Sequence, residues 1–85
     1  MQYSHREALK ITIEKFELAQ AEMSRKTEEL ERQGKGKKVA KDQLNRYLKG
    51  KHDLHSERHD TLTRTLDDVA YAFYIALLSI RGRDA

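Results

Sequence analysis

Cysteine, proline and tryptophan are all missing from this chain, and glycine occurs only four times in 85 residues. Without cysteine there is neither a disulfide framework nor a thiolate metal site. Without proline nothing obliges a helix to break, and so few glycines leave few points where the backbone turns freely. No alternating apolar run rich in Val, Ile and Thr is present, so the expected class is all-α. No apolar stretch approaches the roughly 18 residues a membrane span needs, and no basic, apolar and small-residue succession marks an export signal. A cytoplasmic protein is expected, with no membrane partner. Catalytic patterns are equally scarce: there is no Gly-rich phosphate loop, no nucleophile with a base at readable spacing and no paired acids. Neither an enzyme nor a cofactor is expected, and no small-molecule substrate is evident.

What is present is charge. Hydrophobic residues make up 38% and charged residues 36%, too apolar for a disordered tail and too charged for a membrane protein. The length suits one domain, residues 1–85, which by size scaling buries only about 60% of its unfolded surface, so association would help it. The formal net charge is only +3, but it is unevenly placed. From Arg25 to Lys51 there are ten basic residues against four acidic, a balance of +6, while the remainder stands at −3. Such a concentration is the footprint of a site for a polyanion.

Apolar spacing divides the chain into five helices. Ser4 with Glu7 three residues on makes a capping box, and Leu9, Ile13, Phe16, Ala19 and Met23 mark a stripe, predicting a first helix over about 3–22. Ser24 is the expected cap of a second, mostly polar helix over Arg25 to Gln33, with Leu30 inward. Gly34-Lys35-Gly36-Lys37-Lys38 reads as a solvated turn. A third helix follows from Val39 or Ala40 to Lys49, with Val39 tucked beside Leu44. Ser56 is the expected cap of a fourth helix carrying Leu62 and Leu66, and Asp67 or Asp68 of a fifth reaching Ser79 or Ile80.

The third helix carries the most information. Leu44, Tyr47 and Leu48 fall at i, i+3 and i+4 and share one face, while Lys41, Asp42, Asn45, Arg46 and Lys49 point elsewhere. Gly50 can take the left-handed conformation that stops a helix, and Lys49 and Lys51 make its end cationic. One face anchors and the other is free to read a groove.

Thr27-Glu28-Glu29-Leu30, a glycine turn, then Leu44-Asn45-Arg46-Tyr47-Leu48-Lys49-Gly50-Lys51 resembles the phage repressor and Cro type of helix-turn-helix, the XRE family. The resemblance is closest from Ala40 to His52 and extends over Thr27 to Leu66. It implies a compact five-helix repressor-like bundle with Leu44 packed on the second helix, Tyr47 as an aromatic anchor and Gly50-Lys51 beside a DNA backbone. The chain departs from the family pattern in an enlarged turn between helices two and three, about three residues longer among Gly34 to Lys38. It departs again at Leu48, apolar where the family often has a polar residue, with the fourth or fifth helix as its expected neighbour.

On this reading the helix at about 40–49 enters the major groove of double-stranded DNA, and Lys41, Asp42, Gln43, Asn45 and Arg46 contact base edges. Arg46 is the foremost, able to grip guanine O6 and N7; its plainer alternative is an intrahelical pair with Asp42. Lys35, Lys37, Lys38, Lys49, Lys51 and His52 are expected at phosphates, with Arg25, Lys26 and Thr27 adding a clamp at the start of helix two. The last helix, about 67–80, has almost no polar side, so Tyr71, Tyr74, Ile75 and Leu78 are the expected interface of a homodimer. The implied protein is a nucleoid-associated repressor blocking an operator. The competing class is a helical interaction module, an antitoxin or phage-encoded adaptor, whose basic turn is merely solvated. His55 and His59 at i, i+4 suggest zinc only weakly, since no cysteine assists and both read as exposed; His5 reads as surface.

Overall fold

The computed structural model describes residues 3–79, which form five helices: α1 (His5–Lys15), α2 (Gln20–Arg32), α3 (Lys41–Leu48), α4 (Ser56–Arg64) and α5 (Asp68–Ser79). No strand occurs among the described residues. The protein is an all-α bundle in which α1 packs on α5 and α3, and α2 packs on α3 and α4. Among the described residues no helix is long and apolar enough to cross a membrane. The expected reach of helix five to Ile80 falls outside the described residues.

The first helix begins as its sequence dictates. The Ser4 hydroxyl accepts from the Glu7 amide at 3.1 Å, and the Glu7 carboxylate accepts from the Ser4 amide at 3.3 Å, so two otherwise orphaned N–H groups are satisfied reciprocally. Its end was not foreseen. Instead of running to Glu22 the helix stops after Lys15, and Glu17 takes a left-handed φ of +51°. That geometry lets the Glu17 and Leu18 amides turn back onto the carbonyls of Glu14 and Ile13, at 3.3 and 3.0 Å. Helix two accordingly starts at Gln20, and Ser24, the expected cap, lies inside it. Helices α2 and α3 close by the same device around glycine: Gly34 (φ +73°) with Lys35 bonded back to Leu30, and Gly50 (φ +76°) with Lys51 bonded back to Arg46. In the fourth helix Ser56 is the first helical residue and His55 the N-cap, with Leu66 in the link beyond. Asp67 caps α5 through its carboxylate, which accepts from the Ala70 amide at 2.8 Å.

Leu9, Val39, Leu44 and Leu62 are completely buried, joined by Ile13, Met23, Tyr47, Leu48, Tyr74 and Leu77. One helix face from each of the five elements is thereby removed from water, at about 1.5–3 kcal/mol for each large side chain fully buried. Leu48 is part of this core and borders a groove with Lys10 and Ile13 of α1. Helix α5 turns Ala70, Tyr74 and Leu77 inward and leaves Val69, Tyr71 and Ile75 outside, with Val69 67% exposed.

A non-glycine residue in the left-handed region costs about 1–2 kcal/mol, while glycine's extra unfolded-state freedom costs about 0.5–1 kcal/mol. Glu17→Gly is therefore expected to stabilise the protein by up to about 1 kcal/mol, and Glu17→Val to destabilise it, as measured by urea unfolding midpoints.

Candidate nucleic-acid interface

The angle at which α3 is presented depends on one backbone unit. Val39, just before the helix, is held on both its polar groups by side chains of α2. The Thr27 hydroxyl accepts from the Val39 amide at 2.9 Å and donates to the Ser24 carbonyl at 2.6 Å, while the Ser24 hydroxyl donates to the Val39 carbonyl at 2.8 Å. Ser24 and Thr27 stand three apart on α2, so their hydroxyls meet one segment side by side. At the helix start itself, Ala40 offers no side-chain cap, and its amide is taken by Gln43 Oε1 at 3.0 Å.

The rest of the connection, Gln33 to Ala40, exposes its three lysines as expected, but its backbone is pinned from both sides. The Lys38 amide donates to Glu31 at 2.9 Å, and the Lys38 ammonium reaches Glu28 at 3.0 Å. From α4, the Thr61 hydroxyl accepts from the Lys37 amide at 2.9 Å, Arg58 donates to the Lys38 carbonyl at 3.3 Å, and Arg64 donates to the Lys35 carbonyl at 2.6 Å. Gly36 allows this approach: a Cβ there would lie 2.4 Å from the Thr61 hydroxyl oxygen.

On α3 the inward side carries Leu44, Tyr47 and Leu48, and the outward side carries Asp42, Arg46 and Lys49, all exposed, with Lys41 exposed at its edge. The intrahelical alternative for Arg46 is not formed: among the described residues neither Arg46 nor Asp42 enters an ion pair. Lys35, Lys41, Lys49 and Lys51 are exposed and likewise make no ion pair among the described residues. The stripe therefore ends in exposed cations that form no ion pair among the described residues.

Burial and existing hydrogen bonds correct the surface roles expected of Thr27, Gln43, Asn45 and Tyr74, whereas Lys37, Lys38 and His52 are exposed as expected. Thr27 is completely buried in the Val39 clamp and touches no outside phosphate. Arg25 and Lys26 lie in the body of α2 and not at its start; Arg25 pairs with Glu22, and Lys26 lines a groove with Leu66 and Asp67 away from α3. Gln43 is half-buried with its oxygen committed to the helix cap, and Asn45 is half-buried and donates to Gln20 at 3.2 Å, so neither side chain stands free on the outward stripe. Lys37 and Lys38 are exposed but already face Glu57 and Glu28. His52 is exposed beyond the glycine stop. Tyr74 is 3% exposed, so it belongs to the core of its own chain rather than to a dimer surface. Glu22 and Glu28 are held below the usual carboxylate range by Arg25 and Lys38, respectively.

His5, His52 and His55 are exposed as expected, whereas His59 is not. His59 is half-buried, its ring set edge-on to Tyr47 at 5.7 Å between centroids and tilted against Tyr74 at 6.2 Å. His5 meets it at 5.4 Å, and His5 Nδ1 shares a 3.0 Å hydrogen bond with the Tyr74 hydroxyl. Burial pushes the Tyr74 phenol up to about 12, and it pushes Tyr47 up as well. Since His59 turns into this aromatic cluster and His55 precedes the helix, the two do not pair as ligands on one helix face. The signal for this cluster was present in the spacing of His55 and His59, but only packing showed which of them turned inward.

No protein-family model, no characterised protein and no solved structure matches the chain.

Replacing Thr27 by valine preserves shape but strands the buried Val39 amide, and a loss of about 1–3 kcal/mol is expected in urea unfolding, against little change for an exposed control such as Lys26→Ala. Burial of His59, reinforced by His5, lowers its pKa from 6.5, so the folded state resists the proton that the unfolded state accepts. Stability is expected to be full above pH 7.5 or so and to fall as pH drops through about 6.5 toward the lower folded value. His59→Phe should flatten that part of a plot of unfolding free energy against pH.

Proposed function

We propose that the protein binds double-stranded DNA sequence-specifically, with the outward stripe of α3 in the major groove, as a transcriptional regulator of the repressor and Cro type. The observation that carries this reading is Arg46: a guanidinium in the middle of the exposed face, without an ion-pair partner among the described residues, on a helix whose backbone approach is clamped at Val39. Such a fork suits guanine O6 and N7, and Asp42 one turn earlier suits a cytosine amino group. Lys41, Lys49 and Lys51 serve as phosphate contacts around it, and Lys35 extends the cationic edge.

The resemblance seen in the sequence supports the same class, though α2 enters it in a different register. Because α2 begins at Gln20, the residues at the start of the helical pair are Gln20 to Met23 and not Thr27 to Leu30. The further turns of α2 and the connection to Ala40 form an addition to a compact pair, folded back on α4. A homodimer fits the exposed Val69, Tyr71 and Ile75 of α5, with half-buried Leu78 at their edge, and would place two reading helices on a two-fold symmetric site. The same surface supports the second reading, an interaction module whose partner is another protein.

Selection of bound sequences from a random DNA pool tests both. A two-fold symmetric site is expected, bound with a salt slope of about −4 to −5 per subunit if about five phosphates are neutralised. On that site Arg46→Ala should cost about 1–3 kcal/mol while random DNA binding changes little. An empty selection, or an Arg46→Ala protein indistinguishable from the parent on every DNA, would favour the interaction module.

A further inference from the structure

His59 joins α4 to three other helices. The helix packs chiefly on α2, and its ring contact with α1, α3 and α5 runs through this imidazole, whose centroid lies 5.4 Å from that of His5, 5.7 Å from Tyr47 and 6.2 Å from Tyr74. Its Nε2 is buried without a hydrogen-bond partner among the described residues. An imidazolium carries N–H on both ring nitrogens. Whichever tautomer the neutral ring adopts, the protonated ring therefore sets a charged donor at Nε2 with nothing to accept from it. Burying a charge in that state is far more costly than burying a neutral ring, so the closed cluster and the protonated ring disfavour each other.

The groups facing the ring do not offset that cost. From α1, Arg6 brings a fixed positive charge, and His5 a second imidazole whose Nδ1 shares a hydrogen bond with the Tyr74 hydroxyl. From α3, Tyr47 already has the Arg6 guanidinium over its ring at 5.0 Å. Tyr47 and, from α5, Tyr74 are phenols that burial keeps neutral. In the link after α3, the Asp53 carboxylate is engaged by Arg6 at 2.5 Å. Asp60, on α4 itself, is exposed, where solvent screens its attraction. Burial and the neighbouring His5 accordingly hold the His59 pKa below its ordinary value against the pull of Asp60.

This cluster also secures the end of α3. Tyr47 lies in the last turn of the helix, and the link over residues 49–55 is fastened to α1 through Asp53 and Arg6. Withdrawal of the His59 ring removes the edge-on support of Tyr47, and the chain just beyond carries Lys49 and Lys51. The start of α3 is held differently, by the Ser24 and Thr27 hydroxyls on Val39, which do not titrate between about pH 5 and 8.

We propose that His59 is a proton-operated latch: once protonated it leaves the ring cluster and frees the end of α3 and the link to α4, while the start of α3 and its connection to α2 stay closed. The device belongs to the fold and does not depend on the DNA reading.

The amides of Lys49, Gly50 and Lys51 report the latch, because in the closed form they donate to the carbonyls of Asn45, Tyr47 and Arg46. Their hydrogen-exchange protection, corrected for the intrinsic pH dependence of exchange, is expected to fall between about pH 7.5 and 5.5 by up to about tenfold. That is the limit for one proton taken up by a group whose pKa when released is 6.5. The amides of Lys35 and Val39, bonded to Leu30 and Thr27, should keep their protection. In a His59→Phe protein the fall at the reporters should vanish. Equal falls at reporters and controls, or no fall at the reporters, overturns the proposal, and this comparison needs only the parent protein. A fall that persists in His59→Phe overturns it as well, assigning the effect to the exposed His52 and His55.

Discussion

The hold of two α2 hydroxyls on the backbone of Val39 is the constraint from which the arrangement of α3 follows. A helix of eight residues is too short to persist by itself, and α3 lacks a side-chain N-cap. Its position is set instead by what grips it at either end. Ser24 and Thr27 fix the approach, Leu44, Tyr47 and Leu48 fill the core beneath, and Gly50 closes the far end. Buried hydrogen bonds of this kind have defined directions, whereas apolar contacts alone would let a short helix slide or rotate. The outward stripe of Asp42, Arg46 and Lys49 is thus carried on a rigid mount.

A second junction ties the remaining elements to that mount. Tyr47 of α3, His59 of α4, Tyr74 of α5 and His5 of α1 meet ring to ring, so four of the five helices converge where α3 ends. Polar atoms in such a cluster give it geometric definition, although the buried Arg6 Nε and His59 Nε2 have no hydrogen-bond partner among the described residues. The molecule therefore presents two distinct surfaces: a cationic stripe on α3 and an apolar side of α5. The proposed DNA site uses the first and the proposed self-association the second.

Much of the helical pattern could be read directly. The Ser4 box, the inward set of Leu44, Tyr47 and Leu48, the glycine stop at Gly50 and the Asp67 cap all arise from contacts within about four residues, where spacing and side-chain type suffice. The break after Lys15 could not, because Glu17 adopts a left-handed conformation with no glycine or proline to announce it. Missing that break misplaced the start of α2, and with it Ser24, Arg25, Lys26 and Thr27. Hydroxyl residues suit both caps and buried backbone clamps, so Ser24 looked like a cap until Val39, fifteen residues away, was seen to be its partner.

The sequence by itself determined the helical class, the number of helices and the two-sided character of α3, since these rest on local propensity and a 3.6-residue period. Only the tertiary structure decided which polar residues remain free. Gln43 and Asn45 are occupied by a cap and by Gln20, the lysine-glycine connection is tied to α4, and Arg46 has no ion-pair partner among the described residues. Charge and spacing show which side chains can reach outward; whether they do depends on partners brought in from distant parts of the chain, and local patterning contains no record of those.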